Sequence, residues 1–225
     1  MSEDTVNQED ISEFERIVDD VRKLLKDSDA GITDLTKKFE KIDEILIEFP
    51  ETAMKFLDEI YVKLKELYDN VSKKYEDAKS KYNKIRNSGI DIIEKHIDDI
   101  RKKKNELLDI GFKIDEYIKN FELTEKLLDM RQKEVLLFNS IEDSYSSAML
   151  ITSKIKNVDS KANLLGYEYA EFSGKLYGLN NMLLLISNSV TSRKPDQIRS
   201  LESRKHLHGL PIGRENNKEF EHYIR

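Results

Sequence analysis

The sequence predicts an all-α protein, an elongated antiparallel helical hairpin or coiled-coil bundle with a mobile C-terminal tail. Apolar residues recur every three or four positions, which is the spacing of helices that pack along a seam. Of the 225 residues, 36% are charged and only 38% are hydrophobic, as in long helices that bury a narrow stripe. No stretch shows the period-two alternation that indicates a half-buried strand.

The first predicted segment, residues 1–49, is helical and acidic. Positions 1–50 contain 15 acidic and 7 basic residues. The residues around Gly31 leave open whether this segment is one helix with a weak point or two helices in line. Only one seam position, Ser28, is polar. The seam consists of Ile11, Phe14, Val18, Val21, Leu25, Ser28, Ile32, Leu35, Phe39, Ile42, Leu46 and Phe49.

The second predicted segment, residues 50–137, is a long helical hairpin. Pro50 favours the first turn of a new helix, so we expect a helix to begin there. Too few residues separate it from the first helix for a clean reversal, so we expect a kink or corner before it. Residues 87–89, with the sequence Asn-Ser-Gly, are the strongest turn signal in the chain and predict the hairpin turn. The seam of the first arm is Met54, Leu57, Tyr61, Leu64, Tyr68, Val71, Tyr75, Ala78, Tyr82 and Ile85. The seam of the second arm is Ile93, Ile97, Ile100, Lys104, Leu107, Gly111, Ile114, Ile118, Phe121, Glu125, Leu128, Gln132 and Val135.

Four tyrosines of the first arm recur at intervals of seven: Tyr61, Tyr68, Tyr75 and Tyr82. Such a row of rings could form a platform for stacking a ligand or a base. The aliphatic residues that alternate with the rings complete a helical seam, which favours packing within the protein.

The third predicted segment, residues 138–192, is a C-terminal helix that begins where the apolar phase changes near Phe138. Its apolar surface is wider than a two-helix contact needs, because Met182, Leu184 and Leu185 flank the seam. Burial between helices of the same chain or a partner-binding surface would each explain this excess. We expect an assembly surface formed by Ile155, Leu165, Phe172, Leu176, Leu179, Leu183 and Ile186. Residues 193–225, which contain scattered Gly, Pro and Asn, predict a flexible tail.

Basic residues cluster on both sides of the predicted turn. Residues 73–104 contain 11 basic and 6 acidic residues, and a turn at 87–89 would bring two basic clusters together at one tip. Such a tip could contact an anionic membrane or a nucleic acid, although the interspersed acids are also typical of a solvated surface. The tip residues would be Lys79, Lys81, Lys84, Arg86, Arg101, Lys102, Lys103 and Lys104.

The residue types in the chain exclude several kinds of chemistry. The sequence contains no cysteine, so it has no disulfide, thiolate metal site or cysteine nucleophile. His206 and His208 are the one close histidine pair, and no acidic residue lies near them at ligand spacing. No serine stands in a nucleophile-elbow context, and no glycine-rich phosphate loop is present. We therefore expect no catalytic residue, metal, cofactor or small-molecule substrate.

The N-terminal residues are acidic and lack an apolar signal region. The longest apolar run, residues 182–186, is much shorter than the ~20 residues that span a bilayer. These features lead us to expect an intracellular, cytoplasmic protein.

The first functional hypothesis is a non-enzymatic coiled-coil subunit with a structural, scaffold or tethering role, in a homo- or hetero-oligomer with helical protein partners. The alternative is a peripheral binder whose basic tip contacts an anionic membrane or nucleic acid. An enzyme with a site between helices is a third class, which the lack of a catalytic motif argues against.

Overall fold

The computed structural model describes residues 6–48, 50–119 and 125–193, and these ranges form three α-helices. They are α1 (Gln8–Glu48), α2 (Pro50–Lys119) and α3 (Glu125–Arg193). The prediction of an all-α fold is confirmed for these ranges, which contain no strand. The predicted tail, apart from Arg193 at the end of α3, lies outside the described residues.

Helix α1 begins at an asparagine cap. The Asn7 side chain accepts a hydrogen bond of 2.9 Å from the Glu9 amide, which satisfies a donor that the first turn leaves free. The helix continues without a break through Gly31, so the predicted segment is one helix rather than two. Its predicted seam is confirmed from Ile11 to Ile42, because all ten positions are buried. The seam residues Leu46 and Phe49 lie outside the described side chains.

The tyrosine row of α2 lines a helical seam, as predicted. The aliphatic residues between the tyrosines are buried, and the four rings are half-buried. Tyr75 stacks on Tyr169 of α3 with ring centroids 3.9 Å apart, and Tyr82 lies 6.4 Å from Phe14 of α1. These rings therefore contribute to packing between helices.

The predicted turn at 87–89 is wrong, because these residues lie inside α2. A Cβ atom placed on Gly89 would lie 2.5 Å from Cδ1 of Ile155, so this glycine lets α2 and α3 approach closely. The two residues before it are exposed, where their weak helix propensity costs little. Ile85 and Ile92 continue the buried stripe across the segment at an interval of seven. Burial thus outweighs the local turn signal.

The predicted seam of the second hairpin arm is also largely wrong. Of its described residues only Ile114 is buried, while Leu128 and Val135 are more than half exposed. The predicted helix start near Phe138 lies inside α3, which is continuous from Glu125. The spacing of the apolar residues shifts near Phe138 because α3 has apolar residues on its outward side as well as its inward side.

Packing divides the chain into two compact units. The first unit combines Met1–Glu15 with Lys79–Lys161, and the second combines Arg16–Ala78 with Ala162–Arg225. The predicted segment boundaries at 87–89 and 138 do not coincide with these units, because each unit is built from parts of all three helices.

In the second unit, α1 and α2 run antiparallel. Gly31 of α1 lies against Leu67 of α2, and Asp34 three residues later lies 3.8 Å from Lys63. The chain therefore reverses between α1 and α2, and the kink predicted before Pro50 is wrong. Reversal brings the apolar stripes of the two helices together, and their burial stabilises it.

Helices α1 and α3 are linked by ion pairs with a constant sequence offset. Each pair joins residues 146 positions apart, and successive pairs lie seven positions apart. The two pairs of the second unit show that α1 and α3 run parallel there, since both sequence numbers rise together. The pairs are Glu15–Lys161 in the first unit, at 2.5 Å, and Arg22–Glu168 and Asp29–Lys175 in the second, at 2.9 and 3.0 Å.

In the first unit, α2 and α3 run antiparallel. Gly89 lies beside Ile155, and the Ser144 hydroxyl donates a hydrogen bond of 2.8 Å to Asp99. The first residues of α1 pack near positions 79–89 of α2, so this end of the unit contains three helices. Between residues 93 and 119 of α2, Ile114 is the one buried hydrophobic residue.

Two glycines provide a matched test of the close contact between α2 and α3. Replacing Gly174 with Ala should raise the free energy of unfolding by about 0.5–1 kcal/mol, because no atom lies within 4 Å of the added methyl group. Replacing Gly89 with Ala should lower it, because overpacking costs about 1–3 kcal/mol and exceeds the gain in helix propensity. Urea unfolding measures both. Equal stabilisation by the two substitutions would show that Ile155 moves aside freely and that Gly89 has no packing role.

Candidate functional site

The residues predicted to form the assembly surface are mostly core residues of this chain. Six of the seven are at most 9% exposed and are therefore unavailable to a partner, and Ile186 is half-buried. The prediction is wrong because an apolar seam looks alike within a chain and between chains. The six buried residues are Ile155, Leu165, Phe172, Leu176, Leu179 and Leu183.

The apolar residues that flank this seam are exposed instead. Leu185 is 70% exposed and Met182 is 43% exposed, although Leu183 between them is buried. Leu164 and Leu165 show the same contrast, with 50% and 2% of their surface exposed. The surface that a partner could reach is thus the outward side of α3, one or two positions away from the predicted residues.

Exposed apolar residues are concentrated on α3 within the described ranges. Of the 17 large hydrophobic residues that are exposed there, 12 belong to α3, five to α2 and none to α1. A helix with apolar residues on all sides is normally buried, whereas α1 has the charged outer side of a surface helix. This difference identifies α3 as the helix with surface left to cover.

In the second unit, the outward side of α3 has its own heptad spacing. Seven positions follow one another at alternating steps of three and four, so they form one stripe on the helix surface. Leu164, Tyr167 and Leu185 are exposed by 50, 58 and 70%. Beside Gly174 and Gly178 the space is open, with no atom within 4 Å of a Cβ position. We name these residues the outer stripe of α3: Leu164, Tyr167, Glu171, Gly174, Gly178, Asn181 and Leu185.

The basic tip predicted from the sequence is not formed. Because α2 continues through residues 87–89, its basic clusters at 79–86 and 101–104 lie on one helix, separated by about 22 Å along its axis. A hairpin turn therefore does not bring them together, and the geometry on which the anionic-surface hypothesis depended is absent.

Several bases of the predicted tip have acidic neighbours. Lys81 donates hydrogen bonds to Asp10, at 2.6 Å, and to Glu13, and Lys84 lies 3.5 Å from Asp10. The hydrogen bond from Lys81 is the main cause of a lowered pKa of Asp10, and the two carboxylates raise the pKa of Lys81. This cluster joins the start of α1 to α2.

The other basic cluster contains both paired and exposed side chains. Arg101 lies 3.0 Å from Asp98 on the exposed surface, and Lys103 donates a hydrogen bond to Asp99. The remaining tip residues are half-buried or exposed on α2: Lys79 is half-buried, and Arg86, Lys102 and Lys104 are exposed.

Asp99 is the centre of a polar contact between α2 and α3 in the first unit. It accepts hydrogen bonds from Lys103 of its own helix and from Ser144 of α3. The hydrogen bond from Lys103 contributes most to a lowered pKa of Asp99, and the hydrogen bond from Ser144 contributes less. A part-buried polar contact of this kind favours one alignment of the two helices.

No group of three or more His, Asp or Glu side chains is placed to hold a metal ion within the described part of the chain. His206 and His208 lie outside it. None of the described helices is long and apolar enough to cross a membrane.

Comparisons with protein-family models, with curated proteins and with solved structures return no match for this chain. Function is therefore inferred from the geometry of its own residues.

Adjacent leucines test the assignment of inner and outer surfaces on α3. Leu165→Ala should lower the free energy of unfolding by about 2–5 kcal/mol, because it leaves a cavity in the core. Leu164→Ala should change it by less than about 0.5 kcal/mol, since half of this side chain is already in water. Chemical unfolding followed by circular dichroism measures both variants. Similar losses for the two would contradict the assignment.

Acid titration tests the polar contact at Asp99. Because folding lowers the pKa of Asp99, its ionised form stabilises the protein above the ordinary carboxyl pKa of about 3.9, and this stability is lost as pH falls through the lower folded value. Asp99→Asn should therefore make the free energy of unfolding fall less steeply than in the wild type below about pH 4.

The matched control is Asp98→Asn, which removes a carboxylate from an exposed ion pair of the kind that contributes little. Unfolding curves at several pH values compare the three proteins. Parallel pH profiles for the wild type and Asp99→Asn would show that the ionised form of Asp99 does not contribute to stability.

Proposed function

We propose that this chain is a non-enzymatic coiled-coil subunit with a structural, scaffold or tethering role, which assembles with other helical proteins through the outer stripe of α3. The observation that supports the proposal is the exposure of Leu164, Tyr167 and Leu185 on one side of a helix whose opposite side is fully buried. A helix of another protein would cover these side chains in the way that α1 and α2 cover the inward seam.

The two glycines of the stripe suit such a contact. Gly174 and Gly178 lie one turn apart and present backbone to open space, so a partner helix can approach α3 closely between the larger side chains at either end. Tyr167 and Leu185 would then fill spaces on the partner, as aromatic and aliphatic anchors do in helix-in-groove recognition.

The charges around the outer stripe of α3 also favour a protein partner. Between Lys175 and Arg193 the helix has no charged residue, and Lys175 is held by Asp29 and Glu171, which raise its pKa. Apart from Glu171, which is paired with Lys175, the stripe has neither the basic groups that bind phosphate nor the acidic groups that bind metal ions.

The polar groups of the described residues fit a structural role. The Asp10–Lys81 cluster and the Asp99–Ser144 contact each join two helices. In both, the charged groups are used for alignment between helices, so we propose no catalytic role for them.

A site-specific photo-crosslinker tests this function. Benzoylphenylalanine placed at Tyr167 or at Leu185 should yield the same discrete protein adduct in cells, because both positions face the proposed partner. The probe at Lys26, on the exposed side of α1, is the matched control and should not yield it. Mass spectrometry identifies the adduct.

A blocking variant completes this test. Gly174→Arg should reduce the adduct at Leu185 at least tenfold while leaving helicity unchanged, because the added side chain enters open space in the free protein. No adduct above the Lys26 control, or an adduct that Gly174→Arg does not reduce, would contradict the proposal.

A further inference from the structure

Helix α2 has a second heptad-spaced stripe in the first unit. Its positions follow one another at steps of four and three, as in a coiled-coil seam, but they lie on the outside of the protein. Ile97, Leu108 and Ile118 are exposed by 38, 53 and 54%, and the space beside Gly111 is open. We name these residues the outer stripe of α2: Ile97, Arg101, Lys104, Leu108, Gly111, Asp115 and Ile118.

The middle of this stripe faces away from α3. Asp99 marks the side of α2 that contacts α3, through its hydrogen bond with Ser144. Leu108 lies nine residues further on, and at about 100° per residue it points to the opposite side of the helix. The middle of the stripe is therefore an outward surface, while Ile118, one turn after the buried Ile114, lies beside the internal seam.

The order of residues in the stripe is complementary to itself when one copy is reversed. In an antiparallel pair centred on Leu108, Arg101 lies opposite Asp115 of the second copy, and Leu108 lies opposite Leu108. Ile97 and Lys104 lie within one residue of Ile118 and Gly111 of the second copy, and the long side chain of Lys104 has room beside the glycine. Each apolar residue thus meets an apolar residue, and the one acidic residue meets a basic one.

We propose that the outer stripe of α2 binds the same stripe of a second copy of this chain, antiparallel, with the two-fold axis beside Leu108. Because the axis repeats every contact, the pair Arg101–Asp115 occurs twice in the dimer.

The charges also exclude the competing parallel alignment. In a parallel, in-register pair, Arg101, Lys104 and Asp115 would each face their own copy, and like charges at facing seam positions destabilise a helix pair. The charges therefore favour the antiparallel alignment, in which Arg101 lies opposite Asp115. The present partner of Arg101 is Asp98 at 3.0 Å, an exposed pair of a kind that contributes little and is easily exchanged.

Apolar side chains supply part of this contact. Four large hydrophobic residues of α2 are exposed in the first unit, including Phe112, at 72%, beside the stripe. At about 100 Å² each, roughly half of what a large side chain buries, they expose on the order of 400 Å². A standard interface covers about 800 Å² per partner, so these residues would supply about half of it.

This inference rests on the proposed function only in treating the chain as an assembly subunit. It concerns a different surface, the outer stripe of α2, and a different partner, a second copy of the chain. Light scattering coupled to size exclusion should give twice the monomer mass of 26.4 kDa for the wild type. Arg101→Asp and Asp115→Arg should each weaken the dimer at least tenfold, since each creates two like-charge pairs across the axis. Lys102→Asp, one position off the stripe, should leave the dimer intact.

Mixing the two charge variants provides the decisive measurement. The Arg101→Asp variant has acidic residues at both 101 and 115, and the Asp115→Arg variant has basic residues at both. An equimolar mixture should therefore form a heterodimer, although each variant alone is monomeric. The double variant, with both charges exchanged, should dimerise with itself. Circular dichroism should show unchanged helicity in every variant, because all substituted positions are exposed.

A cysteine at the axis gives a second readout. Leu108→Cys should form a disulfide-linked dimer on oxidation, because the two copies of this residue meet at the axis, and Lys102→Cys should not. The chain has no other cysteine, so no other disulfide can form. A monomeric wild type at tens of micromolar, or a dimer that survives Arg101→Asp, would overturn the inference. So would a mixture of the two charge variants that stays monomeric. If the crosslinks at Tyr167 and Leu185 persist in any of these cases, the proposed function stands while the homodimer fails.

Discussion

Burial of a seven-residue apolar repeat is the interaction on which the three helices depend. The ten consecutive seam positions of α1 from Ile11 to Ile42 are all buried, and each large aliphatic side chain among them contributes about 1.5–3 kcal/mol. Apolar burial alone would allow one helix to shift along its neighbour by one heptad, because every heptad of the seam offers a similar surface. The ion pairs between α1 and α3 select one alignment, since all three join residues 146 positions apart. The Asp99–Ser144 hydrogen bond does the same for α2 and α3.

Sequence periodicity predicts the buried stripe of α1 and most of the one in the first half of α2, where it misses the buried Ala53 and Ile60, but it does not predict where the chain turns. Gly89 has the local chemistry of a turn, yet it lies in a helix because its missing side chain makes room for Ile155. A glycine at a turn and a glycine at a close helix contact look alike in one sequence. Only the partner atoms, which come from residues more than 60 positions away, distinguish the two. The same limitation explains why the predicted basic tip is not formed. Its two clusters would meet only if the chain turned at residues 87–89.

Periodicity is also ambiguous where a helix has more than one apolar stripe. In α3 the inward stripe, with Leu165 and Leu183, and the outward stripe, with Leu164 and Leu185, are separated by one or two positions. The sequence indicates the excess of apolar residues correctly, but the inward stripe is the more regular one, so periodicity alone predicts the wrong side of α3 as the assembly surface. A regular apolar stripe indicates a seam that is packed inside the protein. An apolar residue that interrupts the polar side of the same helix is the better sequence signal for a partner.

The two outer stripes would select partners by different physical means. The outer stripe of α2 contains two bases and one acid at positions that match only when a second copy is reversed, so its charges specify both partner and direction. The outer stripe of α3 has glycines at its centre and one charged residue, Glu171, so fit to its shape would decide which helix it accepts. Because the residues of the outer stripe of α2 belong to the first unit and those of the outer stripe of α3 to the second, neither surface shares a residue with the other. Under the two proposals, the chain would bind itself through one helix and a different helical protein through another, which is the minimum that a scaffold requires.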